Sequence, residues 1–153
     1  MATTTSPHYR HHVREHFDSR ADSYLVPAGR VLFALIFLQT VPMHFSEAGI
    51  QYAASHGVPA APLLVPLSGV LAFVGGLSVA LGYYARVGAL LLALFLVPVT
   101  VMMHAFWAIP DPDAARMQYV QFLKNVSLFG ATLLIAHFGA GPVSLDNRTR
   151  ERD

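Results

Sequence analysis

Residues 87–107, VGALLLALFLVPVTVMMHAFW, contain no Asp, Glu, Lys or Arg and present apolar side chains on every face of the helix they would form. A helix that is apolar all round leaves no face for water, so this stretch reads as a membrane span. Working outward, three further stretches share its character: residues 29–45 (GRVLFALIFLQTVPMHF), 63–83 and 119–140. The 153-residue chain is 54% hydrophobic and only 12% charged, with a mean hydropathy of +0.48. A soluble domain carries roughly 25% charged residues. The expected fold is therefore all-α, an integral-membrane four-helix bundle. Residues 1–26 form a polar, His-rich cytosolic leader, residues 27–140 the transmembrane domain, and residues 141–153 a charged, mobile cytosolic tail.

Arginine distribution sets the expected orientation. If four spans alternate in direction, Arg10, Arg14, Arg20, Arg30, Arg86, Arg148, Arg150 and Arg152 fall on one side, with only Arg116 and Lys124 on the other. The positive-inside rule then puts both termini in the cytoplasm of a bacterial inner (plasma) membrane. Arg30, Tyr83, Tyr84, Arg86 and His137 would anchor that end in anionic headgroups. No basic stripe interleaved with aromatics accompanies the arginines, which excludes a nucleic-acid partner. The chain has no Cys, so thiol redox chemistry and thiolate metal sites are excluded as well. All nine Asp and Glu lie outside the four stretches, which argues against an ion-coupled carrier.

Two features inside the spans bear on packing. Ser68, Ala72, Gly76 and Ala80 recur every four residues and make one small-residue stripe, a surface for helix contact within the bundle or between subunits of a homo-oligomer. Pro98 lacks an amide hydrogen, so the carbonyl of Leu94 loses its helical partner and a kink is expected.

The remaining polar residues gather at the end away from the arginines. His44 closes the first span, and His104 and Trp107 close the third. Gln121, Lys124 and Asn125 open the fourth, while Glu47, Gln51 and His56 lie in the intervening loop. Thr100, His104 and Trp107 fall on one face by helical spacing, as do Gln121 and Asn125. The expected ligand-binding set is His44, Thr100, His104, Trp107, Gln121, Lys124 and Asn125. A metal site built on His44, Glu47 and His104 is set aside because Lys124 would repel the cation. His8, His12 and His16 of the leader, spaced by four, read as a solvated segment.

GRVLFALIF with its far-end His44, FVGGLSVALGYYAR, VMMHAFW and FLKNVSLFGATLLIAHFGAGPVSLD together resemble the DoxX family of small four-helix membrane proteins. The resemblance covers Gly29 to Asp146 and is most specific in the Lys-Asn pair and the closing G-x-G-x-x-S-x-D. It departs at Ala72, where many members carry Glu. It implies a redox-associated inner-membrane subunit, as in a quinone-linked oxidoreductase complex, with electrons coming from a redox partner protein because no intrinsic redox cofactor is visible. The expected ligand is a quinone or similar small aromatic molecule in an outer-leaflet pocket. His104, Lys124 and Asn125 would supply donors, His44 a proton path and Trp107 a stacking surface. The alternatives are an uncoupled small-solute permeation protein, and a membrane scaffold or assembly factor for a soluble partner enzyme.

Overall fold

A computed structural model of the chain describes residues 20–150; the leader histidines lie outside the described residues. Among the described residues six α-helices follow in order: α1 (Arg20–His44), α2 (Glu47–Ser55), α3 (Ala61–Leu81), α4 (Ala85–Met103), α5 (Pro112–Phe138) and α6 (Leu145–Arg150). A 3-10 turn at Phe106–Ala108 separates α4 from α5. Four segments are long and apolar enough to cross a bilayer: Ser23–His44, Ala61–Leu81, Ala85–Ala108 and Pro112–Phe138. Leu32, Leu63, Leu94, Leu134 and Phe138 point outward from them. In water such a surface would drive aggregation, whereas in hydrocarbon it is the solvated face.

The spans pack in series. α1 lies on α3, α3 on α4 and α4 on α5, while α1 and α5 make no substantial contact, so the ring of helices stays open along that seam. Phe37, Ala72, Val79, Ala89, Leu92, Phe95 and Leu96 form the buried centre, with Leu128, Phe129 and Ile135 closing it from α5. Phe37 meets Phe95 edge-on at 6.1 Å between ring centroids.

The second span is the wedge. Ala72 and Gly76 of the small-residue stripe are buried, and Ser68 and Ala80 are half-buried. A Cβ at Gly76 would come 3.1 Å from Leu38 of α1, so the stripe is a contact inside the bundle. Its neighbour Gly75, outside the predicted stripe, faces the other way. A Cβ there would sit 2.9 Å from both the Gly88 carbonyl and Leu92 of α4. Adjacent glycines thus let one helix approach two others at once.

Several boundaries differ from the sequence reading, each for a local reason. The first helix begins at Arg20, running through the expected end of the leader at residue 26 and through Pro27. The loop after His44 contains α2, whose cap is Ser46: its hydroxyl accepts from the Gly49 amide at 3.0 Å. The fourth span, α5, starts at Pro112. Asp111 caps it by accepting from the Ala114 amide at 2.8 Å, and proline at the first helical position has no amide to waste. The second proline of AIPDPDAAR therefore starts a helix where a chain break was expected.

The expected mobile tail is instead docked. Ser144 is buried, and the Asp146 carboxylate accepts from the backbone amides of Tyr84 at 2.7 Å and Ala85 at 3.1 Å, capping α4 from a distant part of the chain. The Asp146 amide in turn donates to the Gly82 carbonyl at 2.8 Å. Arg30, expected among headgroups, is also buried. Its guanidinium donates to the Ala140 carbonyl and, at 2.9 Å, to the Val143 carbonyl. Gly82 makes room for it: its φ of +65° suits glycine, and any Cβ there would collide with the guanidinium.

Substitutions at three positions test this packing. Gly75→Val should lower stability by about 1–3 kcal/mol through overpacking. Gly130→Ala, at a helical position whose added methyl would meet nothing within 4 Å, should be neutral or stabilising by up to about 1 kcal/mol. Asp146→Ala should cost about 1–2 kcal/mol, in line with lost helix caps, with Asp146→Asn retaining part of the effect. Thermal unfolding of the purified variants in detergent reads all of these.

Candidate functional site

The end of the bundle that carries His44 holds the predicted ligand set. Local hydrogen bonds occupy several of them.

His44 is the last residue of α1. Its Nδ1 lies 3.0 Å from the Thr40 carbonyl, and its ring leans on Phe95 at 5.7 Å. Because a carbonyl only accepts, Nδ1 carries the proton and Nε2 keeps its lone pair. Helix α1 ends there, so Glu47 does not lie one helical turn on from His44 along a shared face. Glu47 instead begins α2 and accepts from Gln51 Nε2 at 2.9 Å. Thr100 is buried and donates to its own helix at the Leu96 carbonyl, 2.6 Å away. This back-bonding satisfies the hydroxyl without a ligand.

His104 terminates α4. Its Nδ1 lies 2.7 Å from Gln118 Oε1, a contact that ties the third span to the fourth. Gln118 was missing from the predicted set; its one sequence signal was a polar position at the start of an apolar run. Trp107 does not share a face with Thr100 and His104, since the helix has stopped at Met103 and Trp107 sits in the 3-10 turn. It is largely exposed, with its ring edge-on to Phe106 at 5.0 Å and to Phe122 at 5.9 Å. Gln121 and Lys124 are both exposed and bond to each other through Nζ and Oε1. Asn125 differs from the rest: it is buried, at 7% exposure, and its side-chain amide makes no hydrogen bond among the described residues.

The structure therefore joins His104 to Gln118, Lys124 to Gln121, and His44 to Phe95. A cavity of about 300 Å³ does open at this end, lined by Ser55, His56, Met102, Met103, Ala105, Ala108 and Ile109, none of which was in the predicted set. Among the described residues no group of three His, Cys, Asp or Glu side chains stands close enough to hold a metal ion.

At the opposite end the built feature is the junction of Arg30, Gly82, Ser144 and Asp146. The sequence signal for it was the G-x-G-x-x-S-x-D stretch at residues 139–146, which serves there to turn the chain back beneath the bundle.

Comparison with known proteins changes the family. The chain matches the SURF4 family over residues 9–151, which overturns the resemblance to the DoxX family. Of the motifs behind that resemblance, the glycine pair acts here in helix approach and the G-x-G-x-x-S-x-D stretch in turn formation and capping, which are architectural roles. The chain is 34% identical over 118 residues to inner membrane protein YphA of Escherichia coli K12, covering 77% of this chain and 83% of that protein. It is 32% identical over 96 residues to inner membrane protein YqjF of the same organism, covering 63% of this chain and 68% of that protein. It is 25% identical over 133 residues to the ER-derived vesicles protein ERV29 of Saccharomyces cerevisiae, covering 87% of this chain but only 36% of that longer protein. No solved structure matches. With four spans and two inner-membrane relatives, the chain is a multi-pass protein of the bacterial inner membrane. The family match runs through all four spans and the docked tail, and the chain belongs to the SURF4 family.

Proposed function

We propose that the protein is a membrane-embedded scaffold that holds a partner protein at the bilayer. The observation that carries this reading is the uncovered face of the fourth span. The His104–Gln118 hydrogen bond sets the register of α4 against α5, so residues 119–137 run alongside residues 85–103. At 1.5 Å per residue, Lys124 then lies about 8 Å, and Ser127 about 12 Å, inside the apolar stretch. Gln121, Lys124 and Ser127 are nevertheless exposed, on a helix with no substantial contact to α1. Polar side chains facing hydrocarbon at that depth are costly, and a partner's membrane segment bringing a carbonyl or carboxylate acceptor to Lys124 would remove the cost.

The relatives support the same reading. One is an ER-derived vesicles protein in which this four-span unit is a minor share of a longer chain, and others belong to a bacterial inner membrane. Holding other proteins at a membrane is a task common to both settings. We place both termini in the cytoplasm, with Arg86 and Arg148 at that face. The redox reading has lost the family resemblance on which it rested, and two of its three predicted donors, His104 and Lys124, bond to Gln118 and Gln121. Permeation is not favoured either, because the centre of the bundle is filled by Phe37, Val79, Leu92, Phe95 and Leu96.

Site-specific photocrosslinking in intact membranes tests the scaffold. A photoreactive residue at position 124 or 127 should give discrete protein adducts, whereas one at Leu94, 62% exposed on the third span, should label lipid alone. Lipid labelling at all three positions would remove the proposal. Adducts consisting only of a second copy of this chain would replace it with a homo-oligomer.

A further inference from the structure

We propose that the cavity between α2 and the end of α4 is a binding site for a soft monovalent d10 cation, cuprous or silver, held by Met102, Met103 and His56. This inference does not depend on the scaffold reading.

Three observations lead to it. First, the cavity wall holds two thioethers and one imidazole, together with Ser55, two alanines and an isoleucine, and has no carboxylate, lysine or arginine. Thioether and imidazole donors select soft d10 ions, while divalent calcium, magnesium and manganese prefer oxygen. Neutral donors also suit a monovalent ion, whose transfer out of water costs less than that of a divalent one. With no Cys in the chain, no thiolate competes for the ion.

Second, the imidazole is set in a ligating tautomer. His56 Nδ1 lies 2.8 Å from the Tyr52 carbonyl and 3.3 Å from Ser55 Oγ. The carbonyl can only accept, so Nδ1 carries the proton and Nε2 offers its lone pair. A ring N–H given to a backbone carbonyl is the usual support behind a metal-bound histidine. The Tyr52 ring, 4.3 Å from the His56 ring, holds it from one side.

Third, both methionines border one opening. They are the last two residues of α4, and Met102 and Met103 both line the cavity beside His56. Met103 is also braced against the satellite core of Ala53, Ala61 and Val65, which fixes one wall to rigid elements.

The experiment uses the full chain in detergent micelles, labelled with 13C at the methionine methyl groups and titrated with silver nitrate. The chain has five methionines, which serve as internal controls. The Met102 and Met103 methyl resonances should shift together and saturate near one equivalent of silver, while those of Met43 and Met117 stay in place. His56→Gln and Met102→Leu should each weaken this silver binding by more than about tenfold, the lower limit for losing even a supporting partner. Met→Leu conserves volume, and circular dichroism checks that the helices are retained. Silver taken up by the leader histidines leaves the methionine methyls untouched and is thereby distinguished. Unmoved Met102 and Met103 resonances in the wild-type protein overturn the proposal, as does unchanged affinity in both folded variants.

Discussion

Close approach of backbones around α3 is the constraint on which the rest of the bundle depends. In hydrocarbon no water is released when helices meet, so their association rests on packing and hydrogen bonds. Gly69 and Gly76 against α1, and Gly75 and Gly88 where α3 meets α4, are positions where an added Cβ would find a neighbour within 3.1 Å. Once α3 is seated between α1 and α4, Phe37, Leu92 and Phe95 meet behind it and fill the centre. The outward leucines then need only lipid.

Each end of the bundle is closed by a different device. Beneath it, the Arg30 guanidinium binds the Ala140 and Val143 carbonyls, and the Asp146 carboxylate holds the first amides of α4. A charge buried in this way is tolerable because hydrogen bonds replace most of its lost hydration. Above it, the histidines are oriented by nearby acceptors: Thr40 for His44, Tyr52 for His56 and Gln118 for His104. The carbonyl-bonded pair, His44 and His56, keep Nε2 free. Polar groups that look like one cluster in the sequence are thereby divided among separate local bonds.

The spans were legible because hydrocarbon imposes length and apolarity directly on the chain, and the stripe through Ala72 and Gly76 was legible for a similar reason. What escaped was whatever depends on contacts between distant residues. SLDNRTRERD has the composition of a solvated tail, and nothing local in it announces that Ser144 is buried or that Asp146 reaches Tyr84. The shared face assigned to Thr100, His104 and Trp107 required a helix that continued past Met103; the helix ends there, and His104 bonds to Gln118 of α5. Family was misread because glycine pairs, turn glycines and a capping aspartate serve any tight four-span bundle, so they carried more about architecture than about descent.

The serial order of helix contacts has a consequence for synthesis. Each span's main neighbour is the span before it, so every large interhelix surface can form as soon as its second member emerges from the insertion machinery, with no span waiting for one made much later. The exceptions lie in residues 140–146: Ala140 and Val143 accept from Arg30 of the first described span and Asp146 caps α4, so these contacts close only after all four spans have been made.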